Sequence, residues 1–503
     1  MKRSRHWIAA CVLAQLAPLL LGQTAVQVNG ANPQQDDARY RQIDERLNGL
    51  TSELERTRGE LATAVDEIHR LRAELEQTKA ANAPDASAEI AAAKLSEEVA
   101  KIREDQDAIQ EQVKVHEQDK VETLSRYRLW INGLILFNAF ANRGTVDIPD
   151  LANIALPVTS QAENNAIGES VRQTILGVNA SGPHLFGALS SADLNMDFFS
   201  SADAGGYPAA SGSARIHTAH FKLEWPHDLI EVGFTEPLIS PLSPTSYASV
   251  AQPPLAWAGN LSAWAPQIKF EHRLQVSDTS SISLEAGLWD AVYGGTNLYN
   301  YLPLPSDYES EKWPAVESRI SWRAGSDSRF QIGLGGYRGA LKTKYGKTIP
   351  SWAFSTDLSL RLFPRLSIAG EFYRGSSLAG LGDGSHKDIL IGTDPSTGAV
   401  RSIGLNAVGG WTQLKLNFSP VVEFNAALGQ DSGYGSDFRS LVLTAATNPL
   451  STLARNQMVT GNLILRPKTY LVLSPEYRRI LSGQLSGTSN VANLFTISAG
   501  YIF

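Results

Sequence analysis

From residue 127 onwards, apolar side chains alternate with polar or small ones in segments of about ten residues. In segment 193–198, every second residue carries a carboxylate or an amide, and Leu194, Met196 and Phe198 stand between them. Successive side chains of a β-strand point to opposite faces, so each such segment predicts a strand with one apolar and one polar face. Ten residues is also about the length that a tilted strand needs to cross a lipid bilayer.

The lengths of the connections separate two folds that share this alternation. In a soluble sandwich the apolar face is the core, whereas in a transmembrane barrel it meets lipid and the polar face borders water. Sixteen candidate strands begin near residues 127, 171, 187, 214, 229, 265, 280, 313, 329, 351, 366, 410, 421, 457, 469 and 492. Turns of a few residues, such as Trp225–Asp228 and Phe363–Arg365, alternate strictly with links of roughly 12 to 35 residues. This pattern favours an all-β fold: a 16-stranded antiparallel transmembrane β-barrel over residues 127–503, with both ends at the short-turn rim.

Residues 1–25 are predicted to be a secretory signal peptide, because a cationic start precedes the apolar run Trp7–Leu21. The cleavage point stays open within residues 22–31. The single cysteine, Cys11, falls inside this leader, so the exported chain is expected to have no thiol for a disulfide, a metal site or a nucleophile. No later apolar run reaches about 18 residues, which excludes a helical membrane span after the leader.

Between the leader and the barrel, the composition is that of a charged helix. Residues 36–79 carry apolar side chains on a seven-residue repeat that begins at Ile43, which predicts a coiled coil. Residues 80–88 contain a proline and form a linker, and a weaker helical segment follows over 89–125. An oligomeric coiled coil is favoured, with a solvated single helix or an intramolecular hairpin as the alternatives.

Several function classes are disfavoured by composition and by the absence of motifs. The net charge of −7 offers no basic surface for nucleic acid. No nucleophile elbow, His-Glu-x-x-His motif or phosphate loop is present, so the chain is predicted not to be an enzyme and to need no cofactor or catalytic metal. His217 and His220 have unlike parity and are expected on opposite faces of one strand. Residues 382–384 with Asp388 resemble a Ca²⁺-binding loop, although a solvated turn is favoured.

Charged residues recur on one parity in strand after strand, and these positions define the candidate pore lining. It comprises Asp193, Asp197, Lys222, Glu224, Lys269, Glu271, Arg273, Arg319 and Lys415. The link Glu236–Trp264 contains five prolines and several large apolar residues, which is too apolar for a freely exposed loop. We expect it to fold inward and form a constriction with Tyr247, Leu255 and Trp257. An ordered external loop at a subunit contact is the alternative.

The final strand carries apolar or aromatic side chains at alternate positions. Phe495, Ile497, Tyr501 and Phe503 form a pattern that looks like the terminal signal read by the bacterial barrel-assembly machinery. This strand is also expected to pair with the first one and so remove both free edges of the sheet.

Four segments carry a family resemblance: Arg215–Trp225, Leu229–Pro237, Pro266–Glu271 and Gly410–Pro420. They resemble the DcaP-like porins and, more distantly, the general and phosphate-selective trimeric porins. The resemblance implies a homotrimer of 16-stranded barrels that passes small solutes, with anionic solutes such as dicarboxylates favoured in DcaP-like members. The candidate inward charges of this chain nearly cancel, however, so its pattern is not obviously anion-selective.

These observations predict a cell outer-membrane diffusion porin involved in solute and ion transport, with a periplasmic N-terminal coiled coil. The expected partners are outer-membrane lipid, further copies in a homotrimer, small hydrophilic solutes and the barrel-assembly machinery, with peptidoglycan as a further candidate. The alternative is an anchor whose coiled coil tethers peptidoglycan or an envelope partner while the barrel only holds it in place.

Overall fold

The computed structural model describes residues 128–158, 165–200, 212–291, 305–325, 329–343, 346–443 and 449–503. The predicted signal peptide, both predicted helical segments and their linker lie outside this part of the chain. Within it, the strands in chain order are β1 (Leu129–Arg143), β2 (Asn165–Ser170), β3 (Ile175–Leu185), β4 (Ala188–Ser200), β5 (Ser213–Glu224), β6 (Asp228–Thr235), β7 (Ala265–Ser277), β8 (Ser280–Trp289), β9 (Ala315–Ala324), β10 (Phe330–Lys342), β11 (Thr348–Phe363), β12 (Leu366–Ser376), β13 (Ile389–Thr393), β14 (Val400–Gly404), β15 (Asn406–Asn417), β16 (Val422–Gly433), β17 (Val442–Leu443), β18 (Leu453–Lys468), β19 (Leu471–Gln484) and β20 (Ser489–Ile502).

Seventeen of these strands form one antiparallel sheet that closes on itself. β2 and β3 both pair with β1, one along each half of it, so together they occupy a single position in the wall. Each following wall strand pairs with the next, and β20 pairs back onto β1 from Leu134↔Ile502 to Arg143↔Asn493. The wall therefore has sixteen positions, and the predicted 16-stranded antiparallel barrel is confirmed.

Exposure alternates along the wall strands as the sequence pattern predicted. On β9, Val316 and Ile320 are 48% and 47% exposed, whereas Glu317 and Arg319 between them are 1% and 4% exposed. Apolar side chains thus cover the outside of the barrel, and polar side chains face inward, which is the reverse of a soluble core. No helix in the described part of the chain is long and apolar enough to span a membrane.

The two rims differ in their connections, but less strictly than predicted. Most connections at one rim are turns of a few residues, and the long links lie at the other rim. Two connections at the long-link rim are nevertheless short, namely residues 343–347 between β10 and β11 and 485–488 between β19 and β20. The strict alternation was wrong at these places because the flanking strands continue through residues that the sequence pattern assigned to loops.

The remaining elements lie in the long links. β13 pairs with β14 and with β17 in a separate three-stranded sheet. Short 3-10 helices cover Glu309–Glu311, Ala379–Leu381 and Pro449–Thr452, and one short α-helix covers Gly435–Arg439.

A β-bulge corrects one prediction about the histidines. The register between β4 and β5 shifts between Asn195 and Met196, which makes His217 an extra residue on β5. The His217 ring contacts the Asp197 carboxylate at 2.8 Å on the inner face of the wall. His220 lines a cavity on the same inner face. The prediction that the two rings face opposite sides was therefore wrong, because a bulge reverses the parity of the strand.

Candidate functional site: the lumen and its inward loops

The link between β6 and β7 (residues 236–264, the β6–β7 loop) is hydrogen-bonded to the inward side chains of the wall. Its first contact is with β9, where the Leu238 N–H donates to Glu317 Oε2 at 2.7 Å. On β12, Glu371 accepts from Ser240 Oγ at 2.5 Å and from the Leu242 N–H at 2.8 Å. Two buried carboxyl groups of the wall therefore hold the first part of the loop through three hydrogen bonds.

The loop then continues along β15, β18 and β19. The Thr245 N–H donates to Gln413 Oε1 at 2.6 Å, and Asn462 Nδ2 donates to the Thr245 carbonyl at 2.8 Å. The Ser246 hydroxyl donates to Glu476. Since these partners belong to three different wall strands, the loop follows the inner circumference of the barrel and does not project from its rim.

Gln173 is the point where this loop meets the link between β1 and β2. It lies in the break that separates β2 from β3, and its side chain is 0% exposed. Its Oε1 accepts from the Val250 and Ala251 N–H groups at 2.8 and 3.2 Å. Its Nε2 donates to the carbonyls of Asp150 and Ala248, both at 3.2 Å. One amide thus connects both loops to the wall with every hydrogen-bonding group occupied.

The link between β1 and β2 is also folded inward. Arg172, beside Gln173, pairs with Asp150 through its Nε at 2.7 Å and lies 3.8 Å above the ring of Phe199. Farther along, Asp147 Oδ1 accepts from the N–H groups of Asn153 and Ile154 at 2.9 and 3.0 Å. Burial raises the pKa of Asp147 to about 6 despite these bonds.

The three predicted constriction residues all lie in the β6–β7 loop but have different surroundings. Leu255 is fully buried and has a φ of 62°. Its side chain packs against Gly429, where an added Cβ would lie 3.2 Å from Leu255 Cδ1. Trp257 stacks on His386, with ring centroids 4.2 Å apart. Tyr247 is half-buried in the same loop. Their part in narrowing a channel stays a prediction.

The second half of the loop packs closely on the wall at a glycine. Gly259 has φ of 105°, and a Cβ there would lie 2.2 Å from the Gly410 carbonyl oxygen and 2.7 Å from that of Gln430. Only glycine combines this backbone conformation with so close an approach. The loop is therefore seated directly on the backbone of β15 and β16.

A third inward segment, residues 377–388, contains the sequence that resembled a Ca²⁺-binding loop. Asp383 is 0% and Asp388 is 7% exposed, so the favoured solvated turn was wrong. Asp388 accepts from the Tyr308 hydroxyl at 2.6 Å, and burial raises its pKa to about 6. Lys387 Nζ donates to main-chain carbonyls, including Leu453 at 2.6 Å, and burial lowers its pKa to about 7. No group of three metal-ligating side chains occurs in the described residues.

The predicted pore-lining residues all face inward, and all except Asp193 are described in ion pairs. On β5 and β7, Lys222 and Lys269 lie 3.1 and 3.2 Å from the two carboxylate oxygens of Glu231. Glu231 was not among the predicted residues, although it alternates with the apolar Ile230 and Val232 in the sequence. Its inward position could have been deduced from Lys222, which is its direct neighbour in the register.

Three more of the predicted residues form a cluster near the short-turn rim. Arg273 donates to Glu271 at 2.9 Å and to Glu224 at 3.1 Å. Its side chain is 34% exposed and that of Glu224 is 48% exposed. These charges border an open part of the lumen.

Arg319 and Lys415 are also paired, but in different surroundings. Arg319 lies between Glu285 and Asp357, with contacts of 2.9 Å to each, and its side chain is 2% exposed. Lys415 lies 3.5 Å from Glu423 and is 31% exposed. A buried cation held by two carboxylates is a structural element of the wall, whereas Lys415 remains accessible.

The two predicted aspartates on β4 differ in accessibility. Asp193 accepts a 2.6 Å bond from Asn195 and lines a cavity. Asp197 is 0% exposed and is held by Arg215 at 2.8 Å and by His217 at 2.8 Å. Asp193 is therefore available to solutes, and Asp197 orients the two cationic or polar side chains beside it.

The residues of the predicted assembly signal lie on the outside of β20. Phe495, Ile497, Tyr501 and Phe503 are 38% to 48% exposed. The main chain of Phe503 exchanges two hydrogen bonds with Gly133 on β1, at 2.9 and 3.1 Å. Their placement shows an apolar outer stripe beside the seam, and recognition by assembly machinery stays a prediction.

Comparison with known proteins gives a likeness of fold. No protein-family model matches the chain, and no curated protein matches it. The outer membrane channel DcaP of Acinetobacter baumannii is similar in structure, with a TM-score of 0.57 and 14% identity over 76% of this chain and 99% of that one. An anion-selective porin from Comamonas acidovorans scores 0.49 at 9% identity, over 75% of this chain and 100% of that one. The predicted resemblance to DcaP is thereby confirmed at the level of fold.

Proposed function

We propose that the protein is an outer-membrane diffusion channel that passes small hydrophilic solutes through a water-filled barrel. The observation that carries this proposal is the β6–β7 loop, which is hydrogen-bonded to inward side chains of β9, β12, β15, β18 and β19. A barrel of 16 strands leaves an aqueous channel that side chains alone do not fill. A loop fixed along the inner wall narrows such a channel without closing its mouth.

The exterior supports a membrane location. Large apolar side chains such as Phe270, Trp322 and Phe372 are 44% to 47% exposed. A row of this kind is unfavourable in water and favourable against lipid tails. Outer-membrane lipid is therefore the proposed partner of this surface, and assembly into a homotrimer remains part of the proposal.

The charged side chains of the inner wall give little support to a preference for anionic solutes. Because Lys222, Lys269, Arg273 and Arg319 all have carboxylate partners, the accessible lumen has nearly balanced charge. A preference for anionic, dicarboxylate-like solutes rests on the sequence resemblance. The geometry itself supports passage of small hydrophilic solutes in general.

Planar-bilayer recording of the purified chain tests the proposal. We expect stable conductance steps, and a larger unit conductance when residues 241–263 are replaced by a short Gly-Ser linker, because the loop no longer narrows the lumen. A matched control shortens the turn Asp394–Ala399, which lies in the separate three-stranded sheet, and should leave conductance unchanged.

Two results would contradict the proposal. Folded protein, recognised by its β-sheet circular dichroism in detergent, that gives no conductance would favour the anchor function. Unchanged conductance after replacement of residues 241–263 would show that the loop does not form the constriction.

A further inference from the structure

A cavity of about 400 Å³ lies in the inner wall of the barrel, on β1, β3, β4 and β5. It is close to the short-turn rim, since Trp130 is the second residue of β1 and the β3–β4 turn closes between Leu185 and Ala188. The β6–β7 loop leaves the opposite end of β6. The cavity therefore lies between the short-turn rim and the proposed constriction, in a part of the lumen that we call the vestibule.

The strand register places four different side chains in one row across this cavity. Trp130 is the register partner of Asn179, Asn179 of Asp193, and Asp193 of His220. Cross-strand partners on one face lie about 5 Å apart, so the row is continuous. It offers an aromatic ring, an amide, a carboxylate and an imidazole in sequence.

A second row lies one step nearer the rim. Ser181 is the register partner of Ser191, and Ser191 of Lys222. All three residues line the same cavity. Two hydroxyls and an ammonium therefore flank the first row, and the cavity contains donors and acceptors on adjacent positions.

The polar groups have hydrogen-bonding capacity left for a solute. A carboxylate accepts about four bonds, and among the described residues one bond to Asp193 is present, from Asn195. The Lys222 ammonium has three N–H groups, and its ion pair is with Glu231 at 3.1 Å. Trp130 is 38% exposed, so its ring offers apolar surface to the cavity.

The charges of the lining indicate the class of solute. Asp193 contributes one negative charge, and Lys222 shares Glu231 with Lys269, so that group contributes one net positive charge. Neither an anion nor a cation therefore gains from the cavity as a whole. A flat aromatic face beside several hydrogen-bonding groups fits a solute with an apolar ring face and a hydroxylated edge.

We propose that this cavity is a vestibule binding site for a neutral hydroxylated ring, such as a pyranose sugar. The inference rests on the proposed channel function for its biological role. Trp130 provides the stacking surface, Asp193 and Asn179 bind adjacent hydroxyls, and Lys222 donates to a third. The site would raise the local concentration of such solutes on the short-turn side of the constriction.

Calorimetric titration with maltose tests the site directly, on protein purified in a detergent that has no sugar headgroup. We expect weak saturable binding, with the dissociation constant raised about tenfold in Trp130→Ala and in Asp193→Asn. Trp322→Ala is the matched control, because Trp322 is an outward ring on β9 that is 46% exposed, and it should bind as the parent does. Sorbitol has hydroxyls but no ring and should bind more weakly than maltose.

Single-channel recording separates this inference from the proposed function. Maltose added on the short-turn side should increase open-channel noise, and Trp130→Ala should abolish the increase while leaving unit conductance in salt unchanged. A conducting channel whose parent and Trp130→Ala forms respond alike to maltose overturns the vestibule site and leaves the channel function intact. Absence of conductance together with Trp130-dependent maltose binding overturns the channel function and leaves the site. Tighter binding of glucuronate than of maltose also overturns the assignment to neutral solutes.

Discussion

The inner wall formed by β5–β8 and the inner wall formed by the wall strands from β9 to β19 are built on the same alternating pattern but have different surroundings. On the first, the side chains of Lys222 and Glu224 are 37% and 48% exposed. On the second, Asn425, Asn462 and Glu476 are 2% to 3% exposed. The second wall is covered by the β6–β7 loop, which binds Asn462 and Glu476 directly.

This difference shows that an inward polar residue can have either of two roles. Where the lumen is open, charged side chains keep contact with water and their ion pairs contribute little to stability. Where a loop lies on the wall, polar side chains are desolvated and must be fully paired. The first kind of residue is suited to influence solutes, and the second kind positions the loop.

The largest effect should follow from removing a buried cation. Arg319→Leu leaves Glu285 and Asp357 as neighbouring buried carboxylates without their common partner, which typically costs about 3–5 kcal/mol. We expect a clear loss of thermal stability in detergent, measured by circular dichroism. Arg273→Leu is the control on the open wall, where an exposed pair contributes about 1 kcal/mol or less. Equal losses for the two variants would remove the distinction between the walls.

Gln173→Leu should have a smaller effect on stability and a specific effect on both loops. It removes four hydrogen bonds and leaves buried main-chain groups at Asp150, Ala248, Val250 and Ala251 without their partner. We expect a cost of about 2–4 kcal/mol and faster amide exchange in both loops. Gln331→Leu, on the inward face of β10 near the short-turn rim, is the control. Faster exchange in one loop alone would refute the joint anchoring.

The smallest effect should be on ion selectivity. Lys222→Gln removes a half-exposed positive charge from the open wall, and we expect the anion-to-cation permeability ratio to fall about twofold, as is typical of a screened surface charge. Reversal potentials in a KCl gradient measure this ratio. Glu371→Gln is the counterpart on the covered wall. Because its carboxylate is 8% exposed and holds the loop, it should alter the unit conductance more than the ratio.

The strands could be predicted because each depends on a local pattern. Most predicted strand starts lie within a few residues of the observed ones, as at Ala265, Ser280 and Leu366. The inward positions of the nine candidate charges followed from the same parity. Parity failed at His217, because a bulge adds one residue and leaves no mark in the alternation.

The covering of one wall could not be predicted from its strands. Glu371 and Glu271 occupy equivalent positions in their patterns, yet only Glu371 accepts bonds from the β6–β7 loop. That difference depends on the path of residues far away along the chain. The proline-rich composition of the loop did indicate an ordered structure, although it could not identify the wall strands to which the loop binds.

The interruption between β2 and β3, where Gln173 lies, limits how the sequence of such a protein can vary. Because one amide at Gln173 serves two loops, neither loop can be exchanged for another sequence without disturbing its neighbour. Engineers who transplant the β6–β7 loop into another barrel would need to carry the β1–β2 link and the interruption between β2 and β3 with it. The transferable unit is thus discontinuous in the chain and contiguous in space.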